Sequence, residues 1–145
     1  MEEIEVLSFG DADRSGKVRW LAEELGLQVT EAPVPFGGHR TPAYRELNPL
    51  GVIPTVRFRG QVLTESTSIL HTLAEAFDEP KLWVGRGEPE RRAYLHALAV
   101  YGESMEGPLV EAVVSQFGLL GPEYFALHEK KLRRSLGILA RQLPE

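Results

Sequence analysis

Residues 4–34 follow a strand–helix–strand pattern, and that opening constrains the chain more than any other feature. Two strands joined by a helix pair in parallel through a right-handed crossover, which commits the chain to a sheet with helices laid on it. Ile4, Val6 and Leu7 run into Phe9 as a short, mostly buried strand. A polar loop, Gly10 to Gly16, follows. Val18, Leu21, Ala22 and Leu25 then fall at helical spacing with Gly26 as the stop, and Leu27, Val29 and Val34 mark the second strand.

The stretch from Pro35 to Leu50 holds Gly37, Gly38, Pro42 and Pro49 and predicts a loop with one helical turn around Ala43–Leu47. Thr55-Val56-Arg57-Phe58 alternates like a strand, and Arg59-Gly60-Gln61 turns it into Val62-Leu63, giving a hairpin. From Ser66, the residues Ile69, Leu70, Leu73, Ala76 and Phe77 make an amphipathic helix. The order βαβ, loop, ββα predicts an α/β domain over residues 1–78. Residues 79–88, rich in Pro, Gly and charge, predict a linker. A short all-α domain of two main helices is expected over 89–145. Leu95, Leu98, Ala99, Met105, Leu109, Val113 and Phe117 carry the first, with a kink expected at Gly107-Pro108. Phe125, Leu132, Leu136, Leu139 and Leu143 carry the second, which ends at Pro144.

The chain has no cysteine, which removes disulfides, thiolate zinc sites and cysteine redox chemistry together. Any sulfur chemistry must use a ligand's sulfur. His39, His71, His96 and His128 show no ligand spacing, so no metal is expected. A net charge of −5 without a basic block argues against nucleic acid as a partner. No apolar run approaches the ~20 residues that span a bilayer. The acidic start, Met1-Glu2-Glu3-Ile4-Glu5, lacks the apolar core of a signal peptide, so a cytoplasmic location without membrane association is expected.

Two local signals carry chemistry. In Asn48-Pro49-Leu50-Gly51-Val52-Ile53-Pro54-Thr55, a proline opens a strand. Lacking an N–H, it suits a strand's first residue and leaves the backbone of Ile53 free to pair with an extended peptide as an added strand. A plain turn into a strand explains the same residues. In Thr64-Glu65-Ser66-Thr67-Ser68-Ile69, Ser66 is placed to cap a helix whose positive end suits a carboxylate, while Glu65 beside it suits an ammonium. Those are the two groups of an amino-acid head, although an ordinary cap accounts for the hexapeptide too.

Taken together, Asn48 to Leu73, with Glu65-Ser66 following Ile53-Pro54, resembles the glutathione site of the glutathione transferase family. Ala22-Glu23-Glu24-Leu25-Gly26-Leu27 and the stretch from Thr41-Pro42-Ala43-Tyr44 to Asn48-Pro49 are similar to that family as well. The resemblance implies a thioredoxin-like N-terminal domain and a truncated helical domain. It implies a cis Pro54, a backbone pairing of Ile53 with the cysteinyl part of glutathione, and a γ-glutamyl head held by Glu65 and Ser66. His39 or Arg40 would reach the glycine carboxylate. It also implies a homodimer, with the helix bearing Tyr101 and Met105 as the contact, and glutathione as co-substrate for attack on a small hydrophobic electrophile.

The family lowers the thiol pKa of glutathione, because a thiol with an ordinary value of about 8.5 is mostly protonated at neutral pH and only the thiolate attacks. At the position of the family's serine this chain has Ala12, which offers no donor. The nearest hydroxyl is Ser15, which serves as thiolate donor or simply caps the helix; Ser8 lies on the strand. Arg14 and Lys17 favour a thiolate, whereas Asp11 and Asp13 oppose it. Family members usually continue with further helices beyond the point where Glu145 falls, so either a partner subunit covers the exposed helical face or the chain is a fragment. A non-catalytic module that binds a protein or small ligand is the alternative expectation.

Overall fold

The computed structural model describes residues 2–10, 13–77, 82–116, 118 and 121–141. Asp11 and Ala12, the start of the expected linker at 79–81, Phe117 and the terminal Leu143-Pro144 lie outside the described residues. Two compact units are present, Met1–Trp83 and Val84–Glu145.

The first unit runs β1 (Glu3–Ser8), α1 (Ser15–Glu24), β2 (Gln28–Pro33), a 3-10 turn (Gly38–Arg40), α2 (Pro42–Leu47), β3 (Thr55–Phe58), β4 (Gln61–Thr64) and α3 (Ser66–Glu75). The four strands are ordered β2-β1-β3-β4. β1 and β2 are parallel, as the crossover rule requires, and the other two pairs are antiparallel. This is the thioredoxin-like arrangement. Arg59 and Gly60, with φ of 48° and 75°, form the two-residue turn that joins Phe58 to Gln61. Positive φ at both turn positions matches the twist of the flanking strands.

The alternation within β1 decides which helix lies on which face. Ile4 and Val6, both wholly buried, pack with Val56 and Phe58, with Val18 and Ala22 of α1, and with Ile69 and Leu73 of α3. Leu7 points the other way, to Tyr44 of α2 and to Ile53. One face of the sheet thus carries α1 and α3, and the opposite face carries α2 and the loop that leads into β3.

The second unit is helical: α4 (Arg91–Ala99), a π-helical stretch (Val100–Met105), α5 (Glu106–Gln116) and α6 (Pro122–Ala140). The irregularity falls a turn before the expected kink at Gly107-Pro108. Pro108 has no N–H for the carbonyl of Ser104, and its ring crowds that carbonyl, so the conflict is felt one turn upstream. A wider π turn accommodates it. The Ser104 carbonyl accepts instead from Ser135 Oγ of α6 at 3.4 Å. His128 Nε2 of α6 also pairs with Glu111 Oε2 of α5 at 2.5 Å. Among the described residues, no helix is long and apolar enough to cross a membrane, and no three His, Asp or Glu converge as metal ligands.

Candidate functional site

The loop ahead of β3 is held by a closed ring of hydrogen bonds around the buried side chains of Tyr44, Asn48 and Thr55. Asn48, wholly buried, donates from Nδ2 to the Val52 carbonyl and to Thr55 Oγ1, both at 3.0 Å. Tyr44 Oη donates to the same carbonyl at 2.9 Å and lies 2.7 Å from Thr55 Oγ1, whose proton it accepts when each hydrogen is used once. Asn48 Oδ1 accepts from Leu50 N–H at 3.2 Å. Burial pushes the Tyr44 phenol above its ordinary value, against hydrogen bonds from Thr55 and Asn48, so it stays a donor at neutral pH. Gly51 has to be glycine here: its φ is 61°, and a Cβ would lie 3.0 Å from the His39 carbonyl.

With Val52 anchored in this way, Ile53 and Pro54 emerge at the head of β3. The Ile53-Pro54 peptide is cis, and both side chains are buried. Among the described residues, the backbone of Ile53 makes no hydrogen bond. Thr55 pairs with Thr64 in the hairpin register, so Ile53-Pro54 and Glu65-Ser66 leave the hairpin at the same end. Leu7 pairs with Thr55, which brings the end of β1 and the start of α1 to that end too.

Glu65 stands at the cap position of α3 with φ of 64°, an uncommon conformation for a residue with a side chain. Its carboxylate does not cap the helix and is exposed. Ser66 is the first helical residue rather than the cap, one position later than expected, because the left-handed turn falls on Glu65. Its hydroxyl, largely buried, accepts from Lys17 Nζ of α1 at 2.7 Å. Lys17, a charge that would favour a thiolate, thus also reaches the mouth of α3.

Asp13 was weighed as a charge opposing a thiolate, and its carboxylate has a structural use. Oδ2 accepts from Phe9 N–H and Oδ1 from Ser15 N–H, each at 2.6 Å, which ties the end of β1 to the start of α1. Ser15 has no exposed surface, and its Oγ lies 3.5 Å from the Gly10 carbonyl. Ser8 is buried and committed: its Oγ accepts from Arg19 Nη2 at 2.9 Å and donates to Glu31 Oε2 at 3.3 Å. Arg19 also donates to the Gly10 carbonyl at 3.2 Å and to Glu31 Oε1 at 2.6 Å. The Arg19 hydrogen bond holds the Glu31 carboxyl below its ordinary range.

His39 packs its ring edge-on against Phe9, centroids 4.9 Å apart, and so belongs to the same end of the sheet. Among the described residues its Nδ1 is buried without a partner. Arg40 is exposed on the same 3-10 turn. Ile53, Pro54, Glu65 and Ser66 therefore converge, with His39 alongside by way of Phe9. Arg40 shows no such link among the described contacts, and Ser15 lies beneath the surface.

Fold and site together define a thioredoxin-like protein with a helical unit after it. The family pattern described as "Glutathione S-transferase, N-terminal domain" matches residues 14–76. The theta class glutathione S-transferase of Xanthomonas axonopodis pv. citri, solved with glutathione bound, is 30% identical, with a TM-score of 0.76 over 98% of this chain and 69% of that one. The chain belongs to the glutathione S-transferase family. Glutathione S-transferase D7 of Drosophila melanogaster is 25% identical over 83% of this chain and 53% of its own. Maleylacetoacetate isomerase of Pseudomonas aeruginosa is 36% identical over 54% of this chain and 39% of its own. The chain thus spans about half the length of these two curated relatives or less.

Proposed function

We propose that the first unit binds glutathione and presents its thiolate to a small hydrophobic electrophile, for conjugation or isomerisation. The observation that carries this reading is the hairpin register, by which the backbone of Ile53, unpaired among the described residues, leaves the hairpin at the same end as Glu65 and Ser66. An extended peptide adds to the first as a strand, and its amino-acid head meets an acid and a helix N-terminus at the second. Residues Ile53, Pro54, Glu65 and Ser66 hold the ligand, with His39 or Arg40 offered to the glycine carboxylate. The D7 transferase and the isomerase among the relatives are compatible with either outcome.

Ser15 is proposed as the thiolate donor, since its 3.5 Å contact with Gly10 leaves the hydroxyl weakly engaged. The family reading also carries a homodimer, a cytoplasmic site of action and a part in detoxification. Tyr101 is the better contact residue on the proposed dimer helix, because Met105 is already buried within its own unit.

Calorimetric titration with glutathione tests the binding step. The wild-type chain should give heat, and a Glu65→Ala, Ser66→Ala double variant should not; equal heats would remove the site. For catalysis, Ser15→Ala should lower turnover of a chromogenic electrophile at least about tenfold while glutathione binding holds within about twofold. An unchanged rate would exclude Ser15. The complete enclosure of Ser15 favours a second reading, a non-catalytic transferase-fold module that binds a protein or small ligand. Glutathione binding without turnover across a panel of electrophiles would support that reading.

A further inference from the structure

We infer that Arg19 is a positioning residue for the thiolate donor: by pinning the Gly10 carbonyl, it keeps the Ser15 hydroxyl available to a ligand's sulfur. The inference rests on the Ser15 reading above and gives a reason for that hydroxyl to stay weakly engaged. Ser15 and Arg19 lie one turn apart on the same face of α1, and both reach the carbonyl of Gly10. The Ser15 contact is 3.5 Å, well beyond the ~2.8 Å of an ordinary O–H···O bond. A buried hydroxyl gains by closing such a gap. The acceptor also sits on a residue able to move, for Gly10 has φ of 112° and nothing within 4 Å of where a Cβ would stand.

The gap stays open because Gly10 is held from both sides. Its N–H donates to Ser8 Oγ at 3.2 Å, and its carbonyl accepts from Arg19 Nη1 at 3.2 Å. The same guanidinium donates through Nη2 to Ser8 Oγ at 2.9 Å, so one planar fork fixes both anchors. Glu31 fixes the fork in turn, accepting from Nε at 2.6 Å and from Nη2 at 3.0 Å. A cation beside a thiol can act by its charge or by what it holds in place. Here the Glu31 carboxylate, kept ionised by the contact, offsets the charge, which leaves the holding. When the ligand's thiol loses its proton to water, its sulfur accepts from Ser15 O–H. A hydroxyl bonded at full strength to Gly10 would have to break that bond first. Without Arg19, the Gly10 carbonyl turns toward Ser15, the bond shortens and the donor is withdrawn.

The test follows the ultraviolet thiolate absorbance of bound glutathione against pH in the full chain, with calorimetric affinity measured alongside. Arg19→Met should move the thiol titration up by about one pH unit, a tenfold change in the thiol–thiolate equilibrium and the scale of one hydrogen bond to a charged group. Its glutathione affinity at about pH 5, where the thiol is protonated, should stay within about twofold of wild type. Ser8→Ala removes the other anchor with little change of volume; it should move the titration the same way, and it decides the matter should Arg19→Met not fold. Glu31→Gln keeps an acceptor for the guanidinium and unmasks its charge, and should leave the thiol–thiolate equilibrium within about twofold. A Ser15→Ala, Arg19→Met double variant should titrate as Ser15→Ala alone. Three results overturn the inference: an unmoved titration in both Arg19→Met and Ser8→Ala, a full further shift on top of Ser15→Ala, or a lowered titration in Glu31→Gln, which would assign the effect to charge. A Ser15→Ala titration identical to wild type overturns the donor reading and this inference with it, and leaves glutathione binding at Ile53, Glu65 and Ser66 standing.

Discussion

Removing the Asn48 side chain would leave the wholly buried Thr55 without its amide donor at Oγ1, and Val52 O with one donor in place of two. An unsatisfied buried group costs about 1–3 kcal/mol, so Asn48→Ala is expected to lower unfolding free energy by about 2 kcal/mol in urea melts. Because Val52 O anchors the residue before Ile53, glutathione binding should weaken in the same variant even under conditions where it is fully folded. A stable variant with unaltered binding would show the ring to be dispensable. Glu31 makes a separate case. Arg19 holds its folded-state carboxyl below the ordinary value of 4.5, so the pair's contribution is complete above that pH and is lost as pH falls through the lowered value. Glu31→Gln should therefore show a shallower decline in thermal stability between pH 5 and pH 3 than wild type; parallel declines would mean that the pair adds nothing in water.

At the scale of elements, the start of α3 sets local comfort against use. Glu65 holds φ of 64°, a conformation that glycine adopts without steric cost and that costs other residues about 1 kcal/mol. Glu65→Gly is expected to stabilise the chain by up to about 1 kcal/mol while glutathione binding drops, and a simultaneous loss of stability would refute the idea that the strain is kept for the ligand. The sequence made this element legible because the hydroxyl, the acid and the strand-leading proline lie within a short stretch of chain. The strand–helix–strand opening was legible for the same reason: each part is a local period. What stayed hidden depends on distance or direction. Lys17 and Ser66 are 49 residues apart, and nothing local joins them. Asp13 could be counted by charge, but its two bonds to backbone amides depend on how the turn folds. Pro108 was visible, yet its effect appears a turn earlier because the carbonyl it disturbs is that of Ser104.

For the whole molecule, the division into two units decides how far ligand binding is felt. Every residue assigned to the site, from Ser15 to Ser66, lies in the first unit, which has its own core around Ile4, Val6, Ile69 and Leu73. Ligand bound to the native state stabilises whatever unfolds together with its site, by about 2.7 kcal/mol when its concentration is 100 times Kd. Hydrogen exchange with and without saturating glutathione should therefore show slower exchange for the amides of β1, β3, α1 and α3. If the units open separately, the amides of α6 (Pro122–Ala140) should exchange at an unchanged rate. A matching slowdown across α6 would mean that both units open as one.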